Sequence, residues 1–300
     1  MKRILQNIFI IFIFLAGLSL LLYPYLSNEW NTYRQKRLIV KYQQAVMEQM
    51  EEQKIDYESE WNRAKTYNDE LYPYSVPESF ILAEMREQPD ERYWGCLNLA
   101  GDGVMGIVKI PQINVRLPIF HTTNAESLEE GVGHLEGSSL PIGGENTHSV
   151  ISAHRGLASA TLFTDLEQLE VGDVFYITVL DKTLCYEVDQ ISVVEPSDTS
   201  PMAPIEGEDL VTLMTCTPYG VNSHRLLVRG HRVPYEPEVA EGVQEEAKAA
   251  SQPSLHTNYL LWVIVGLSVT AIFIMALVVT ERIRRKRRIA EALREIELEG

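Results

Sequence analysis

Residues 210–232 read LVTLMTCTPYGVNSHRLLVRGHR, and this stretch predicts two short strands joined by a turn. Residues alternate in character over 210–216, as they do along a strand with one buried face. A turn containing proline and glycine ends that strand, and a second apolar run follows over 225–232. Because the first strand stops directly after Cys216, its thiol is predicted at a strand end beside an irregular loop. Catalytic groups are common at such places, although a small buried thiol is the ordinary alternative.

Strand-like runs between glycine- and proline-containing turns also precede this hairpin. They lie at 104–110, 114–120, 148–153, 173–180 and 184–194. Seven or so short strands within about 130 residues predict an antiparallel barrel or sandwich, and we place this domain at 100–235. Within it, a short helix capped by Thr161 or Thr164 is predicted over 161–169.

The segments on either side of the predicted barrel differ from it in composition. Helical periodicity over 29–72, ended by the prolines of 72–77, predicts a helical region within 28–85. Residues 236–258 are acidic and low in bulky apolar side chains, which indicates a linker. The formal net charge of the chain is −16, so its surface repels nucleic acid and we expect no nucleic-acid partner.

Two uncharged apolar stretches, 4–27 and 259–280, are each long enough to span a bilayer as a helix. We predict a membrane anchor within 1–27, with a cleaved signal peptide as the alternative, and a second transmembrane helix at 259–280. Basic residues before the first stretch and in the tail, 281–300, predict that both ends are cytoplasmic. The segment between the two spans then lies on the extracellular face.

The chain has three cysteines, so at least one of them is unpaired. We expect Cys96 and Cys185 to be inert buried thiols, and a disulfide between them is the alternative. A thiol becomes nucleophilic as the thiolate, which requires a base or cation nearby. His154 ends an apolar run, and Arg225 returns close to Cys216 if the last two strands pair. Residue type alone does not exclude the six other histidines as the partner of the thiol, nor two further strand arginines as the nearby cation. No cluster with metal-ligand spacing occurs, and we expect neither metal nor cofactor.

Several long stretches resemble the class C, pilin-polymerising sortases. They are TLMTCTPYGVNSHRLLVRGHR (212–232), which contains the Thr-Leu-x-Thr-Cys signature, GVGHLEGSSLPIGG (131–144), SAHRG (152–156) and GDGVMGIVKIPQINVRLPIFH (101–121). The resemblance extends in order over about 100–235. It implies an eight-stranded sortase-type β-barrel with short helices, preceded by an N-terminal helical region and flanked by two transmembrane helices.

The resemblance also implies roles for residues at matching positions. Cys216 is the expected nucleophile, His154 its partner and Arg225 the active-site arginine, while Thr215 is expected to bind substrate or support the oxyanion. His134, His224 and His231 lie in matching motifs without a catalytic role. For the reaction, the resemblance implies that the enzyme cleaves an LPxTG-like sorting signal between Thr and Gly and forms a thioester with it.

The amine that resolves this thioester is not shown by the sequence. A pilin lysine is expected for a polymerase, and a peptidoglycan precursor for an enzyme that anchors surface proteins. A hydrolytic cysteine peptidase and an exported binding module with an incidental thiol are more distant alternatives.

One part of the chain departs from the class C pattern. The usual lid tripeptide, Asp-Pro-aromatic, does not occur, and the nearest material is REQPDERYWGC at 86–96. We predict a variant lid segment at 86–99, with Asp90 facing the arginine and Tyr93 or Trp94 over the thiol. The alternative is an ordinary loop that packs Trp94 on the barrel.

Overall fold

The computed structural model describes residues 2–51, 56–72, 90–237, 240 and 259–299. The chain forms two units: Met1–Tyr25 together with Asn258–Gly300, and Leu26–Thr257. Part of the predicted lid segment, 86–89, and most of the predicted linker, 236–258, lie outside the described residues.

Eight strands of the second unit close into a barrel in the order β1-β2-β3-β4-β7-β8-β6-β5, which confirms the predicted strand number. The strands are β1 (Val104–Ile110), β2 (Val115–Phe120), β3 (Val132–His134), β4 (Thr147–Ser152), β5 (Val174–Val179), β6 (Lys182–Val194), β7 (Asp209–Thr217) and β8 (His224–Val233). The antiparallel expectation is wrong for two neighbouring pairs, because β2–β3 and β4–β7 run parallel. Parallel neighbours need crossover connections, and β5 and β6 lie in sequence between β4 and β7.

The described part of the chain also contains five α-helices, of which two are long and three are short. The α-helices are α1 (Lys2–Glu51), α2 (Tyr57–Leu71), α3 (Glu91–Gly95), α4 (Ala125–Glu130) and α5 (Tyr259–Glu299). The helix predicted over 161–169 is wrong: only a 3₁₀ turn, Leu166–Gln168, forms there. Leu162 has a φ of 44°, and Phe163 N–H donates to the carbonyl of His154 instead of to a helical partner. The segment predicted as a helix therefore forms a loop instead.

The second half of α1 packs on the outside of the barrel. Ile39, Tyr42 and Val46 are buried against side chains of β1 and β2. The hydroxyl of Tyr42 donates to the carbonyl of Met105 and accepts from the N–H of Leu180, so it joins two parts of the barrel. Burial of these apolar side chains, rather than helix propensity, accounts for the long helix outside the apolar N-terminal stretch.

The first unit contains the beginning of α1 and the whole of α5. Among the described residues, one helical stretch, Leu261–Ala290, is long and apolar enough to cross a bilayer. Within this unit a Cβ added at Gly266 would overlap the side chain of Leu21, so the two apolar segments approach closely there. The N-terminal span remains a prediction.

Candidate active site

Cys216 lies one residue before the end of β7, between β4 on one side and β8 on the other. Its side chain is half-buried, whereas Cys96 and Cys185 are buried, and all three thiols are free. Burial raises the pKa of both Cys96 and Cys185, which keeps these thiols protonated and unreactive. This agrees with the expectation of two inert thiols and leaves Cys216 as the accessible one.

Arg225 is directly opposite Cys216 in the β7–β8 ladder. Residues opposed in an antiparallel pair have Cα atoms about 4.5–5.5 Å apart. The Nη1 group of Arg225 donates to the carbonyl of His224 at 3.2 Å and lies 3.5 Å from that of Asn222. The β7–β8 loop thus holds the guanidinium beside the strand that carries the thiol.

His154 follows the end of β4, which runs parallel to β7 with Ser152 paired to Met214. The N–H of Ala153 donates to the carbonyl of Met214 at 3.2 Å, so the contact continues one residue past the ladder. If this register continued for one more residue, His154 would lie beside Cys216, the arrangement that the family motifs imply. Neighbouring strands are about 4.8 Å apart, a separation that side chains bridge.

Thr215 is 1% exposed. Its hydroxyl donates to the carbonyl of Ala153 at 2.8 Å, directly before His154. This bond fixes the chain that carries the imidazole relative to the chain that carries the thiol. The substrate contact expected for Thr215 remains a prediction.

The loop after His154 is held at both ends. Phe163 N–H donates to the carbonyl of His154 at 3.2 Å. On the far side, Asn28 Oδ1 accepts from both the N–H and the hydroxyl of Thr161, each at 2.9 Å. Asn31 Nδ2 donates to the carbonyl of Ser159 at 2.7 Å. The first turns of α1 after residue 27 therefore support the loop that leaves the histidine.

The described part of the predicted lid makes contacts on the barrel. Tyr93 is buried, and its hydroxyl accepts from Thr122 N–H and donates to His134 Nδ1 at 2.8 Å. Trp94 stacks on His121, with ring centroids 5.0 Å apart. Asp90 caps α3 by accepting from the N–H of Arg92. These contacts are the ones expected if the segment is an ordinary loop that packs Trp94 on the barrel. Coverage of the Cys216 thiol by this segment remains a prediction.

Three other histidines are buried among polar partners. His134 Nε2–H donates to Ser139 O, and His148 Nδ1–H donates to Ala203 O while its Nε2 accepts from Thr212. Burial lowers the pKa of His134 and of His148 to about 4, so both are neutral at pH 7. His121 bonds through both ring nitrogens to the carbonyls of Gly103 and Cys96. These contacts are structural.

Arg155 was not singled out from the sequence, yet its side chain is 2% exposed and contacts the strand end that carries Cys216. Its position directly after His154 was the available signal. Sequence patterning does not distinguish a buried arginine from an exposed one, because arginine is usually exposed. No group of three or more potential metal ligands occurs in the described part of the chain.

Comparison with known proteins places this arrangement in a family. The sortase domain family matches residues 108–233. Sortase C1 from Streptococcus agalactiae is 45% identical, with a TM-score of 0.61 over 67% of this chain and 100% of that one. Sortase C from Streptococcus pneumoniae is 42% identical, with a TM-score of 0.57 over 66% of this chain and 97% of that one.

A curated relative, Sortase D from Bacillus subtilis (strain 168), is 35% identical over 131 residues. That match covers 43% of this chain and 63% of the relative, which is less than two thirds of its length. The chain belongs to the sortase family, whose members are cysteine transpeptidases. The solved structures that it resembles include class C sortases, as the motifs predict.

Proposed function

We propose that this protein is a membrane-tethered cysteine transpeptidase that joins a sorting-signal protein to a lysine amine of a pilin subunit. The observation that carries the proposal is the position of Cys216: it is opposite Arg225 on β8 and beside the chain that leads to His154. A thiol, a base and a guanidinium fork are the groups that acyl transfer through a thioester requires.

The first half of the reaction forms the acyl-enzyme. The Cys216 thiolate attacks the carbonyl carbon between Thr and Gly of an LPxTG-like signal, and the oxyanion that develops is stabilised by the Arg225 guanidinium. As the intermediate collapses, the C–N bond breaks and the His154 imidazolium gives its proton to the departing glycine amine. A thioester on Cys216 and neutral His154 remain.

The second half transfers the acyl group. An acceptor amine attacks the thioester, the new C–N bond forms, and sulfur leaves as thiolate. His154 accepts the proton that the amine loses, which restores the starting protonation states. Water in place of the amine gives the free acid, the outcome expected of a hydrolytic peptidase.

The choice of a pilin lysine rests on the structural relatives. The structure of the Streptococcus pneumoniae sortase C was described in terms of pilin substrate specificity, and another relative is a pilus-related sortase C of Group B Streptococcus. The Group B relative is 42% identical, with a TM-score of 0.53. Transfer to a peptidoglycan precursor uses the same site and differs only in the amine.

For the location we propose two membrane spans, with the barrel on the extracellular face and both termini in the cytoplasm. The uncharged composition of 4–27, the apolar stretch Leu261–Ala290 and the basic cluster at 282–288 support this topology.

Intact mass measurement of the detergent-solubilised full chain tests the proposal. Incubation with an LPxTG-containing peptide is expected to add the acyl fragment to Cys216, and hydroxylamine is expected to remove it. Cys216→Ala should give no adduct. Discharge is then measured with a lysine-containing pilin peptide, with a peptidoglycan stem-peptide amine and with water alone. An adduct that persists in Cys216→Ala contradicts the proposal, and discharge only by the stem peptide assigns the enzyme to anchoring.

A further inference from the structure

Arg155 is a buried cation behind the proposed catalytic residues. Burial of an arginine is unfavourable unless its charge and its N–H groups are paired. Here Nη2 forms an ion pair with Glu167, and Nη1 donates to the hydroxyl of Thr217 at 3.1 Å. The guanidinium carbon also lies 5.9 Å from the centre of the Tyr219 ring. One side chain therefore joins the turn after His154, the strand end after Cys216 and the following loop.

The pairing of β7 with the chain that carries His154 shows why this contact matters. Side chains alternate along a strand, so Thr215 and Thr217 share one face of β7 and Cys216 lies on the other. Thr215 bonds to the carbonyl of Ala153, and Thr217 bonds to the side chain of Arg155. Two bonds on the back of β7 thus flank the thiol and hold the residues on either side of His154.

We infer that Arg155 is a positioning residue that sets the separation of the His154 imidazole from the Cys216 sulfur through its bond to Thr217. The inference rests on the proposed function. Arg155 itself does not contact the substrate, because its side chain is enclosed behind β7. Proton transfer between two side chains is sensitive to small displacements, and an error of about 1 Å can cost roughly 100-fold in rate.

The geometry explains why this position holds an arginine followed by a glycine. A planar fork with five donors binds a hydroxyl and a carboxylate together while it lies over an aromatic ring, which an ammonium group does not do. Gly156 has a φ of 77°, and a Cβ added there would lie 3.0 Å from the Tyr219 ring. A residue with a side chain at 156 would therefore displace Tyr219 or the turn.

Substitutions at both ends of the Arg155–Thr217 bond test the inference in the full chain, with acylation by the sorting peptide as the assay. Arg155→Gln and Thr217→Val are each expected to lower kcat roughly 10- to 100-fold. KM should change by less than about threefold, because substrate binding is not touched. Thr217→Ser keeps the hydroxyl and should retain activity close to that of the unsubstituted protein.

The double variant Arg155→Gln/Thr217→Val should be no slower than the slower single variant, since both changes remove the same bond. Arg229→Gln is the matched control, because Arg229 lies further along β8 and forms a two-point ion pair with Asp189 of β6. It should leave kcat unchanged. If Arg155→Gln does not fold, Thr217→Val and Thr217→Ser still decide the question.

Two results would overturn the inference: a kcat for Thr217→Val equal to that of Thr217→Ser, or additive losses in the double variant. Failure of the proposed function looks different, because Cys216→Ala would then still form the adduct or the unsubstituted protein would form none.

Discussion

Cys216 and Arg225 are directly opposed residues of the β7–β8 ladder, so the proposed nucleophile and the arginine proposed to stabilise the oxyanion lie on one pair of strands. The loop between these strands spans only Pro218 to Ser223. A hairpin of this kind fixes the relative position of the two side chains through backbone hydrogen bonds rather than through flexible contacts.

Arg225→Lys is expected to lower kcat/KM for acylation by roughly 100- to 1,000-fold, because an ammonium does not reproduce the fork that faces the oxyanion. Steady-state kinetics with the sorting peptide measure the loss. Arg116→Lys, an exposed arginine of β2, is the matched control and should leave kcat/KM unchanged. Equal values for the two variants would remove Arg225 from the mechanism.

Thr215→Val should lower both stability and kcat. The change leaves the carbonyl of Ala153 without its donor, at a cost of about 1–3 kcal/mol, and frees the chain that carries His154. Thr212→Val is the matched control: Thr212 is equally buried on the same strand, but its hydroxyl donates to His148. Urea unfolding should show a similar loss for both variants, and kinetics should show a roughly 10-fold lower kcat for Thr215→Val alone. A similar kcat loss in both variants would show that β7 stability, rather than this bond, sets the rate.

A small thiol reagent should modify Cys216 and spare Cys96 and Cys185 in the native protein. Burial and the raised pKa of the latter two thiols keep them protonated and enclosed. Peptide mass mapping after iodoacetamide treatment measures the labelling. Denatured protein serves as the control and should be labelled at all three positions. Native labelling of Cys96 at the rate of Cys216 would contradict the structure.

Tyr93→Phe separates a structural role for 90–96 from a covering role. Removal of the hydroxyl leaves Thr122 N–H and His134 Nδ1 without their partner, so the free energy of unfolding should fall by about 1–3 kcal/mol. Because Tyr93 is enclosed by these barrel contacts, the rate of Cys216 alkylation should not change. Faster alkylation in the folded variant would favour the predicted lid.

The barrel should lose stability as the pH falls from about 6.5 towards 4. His134 and His148 have a pKa of about 4 in the folded protein, below the ordinary value of 6.5. The unfolded chain therefore binds protons in this range while the folded protein does not, and stability that is fully present above pH 6.5 is progressively lost.

Urea unfolding at several pH values measures this effect. His148→Asn, whose amide can replace the Nδ1–H donor to Ala203, should show a shallower loss between pH 6.5 and 4 than the unsubstituted protein. An unchanged slope would mean that the buried imidazole of His148 does not titrate on unfolding.

Strand positions were largely predictable because alternation and turn residues mark them: the strands predicted at 104–110 and 210–216 agree with β1 and β7 to within one residue at each end. The three-residue strand β3 was missed, since so short a glycine-containing run has no period to detect. Pairing of β4 with β7 was also unpredictable, because it depends on which strands meet across the barrel. Arg155 shows the same limit at the site: its partner Thr217 is 62 residues away in sequence and becomes a neighbour only when the barrel closes.

The hydrogen bonds that join Asn28 and Asn31 to the loop after His154 have a practical consequence for anyone preparing a soluble enzyme. A preparation that omits the predicted N-terminal span has to be cut before Asn28, because a cut only a few residues later would also remove the two asparagines. The usable window is narrow, just upstream of Asn28. A truncated enzyme that begins beyond Asn31 should form its barrel but have a low turnover rate. This low rate would result from the truncation and would not be a property of the full-length enzyme.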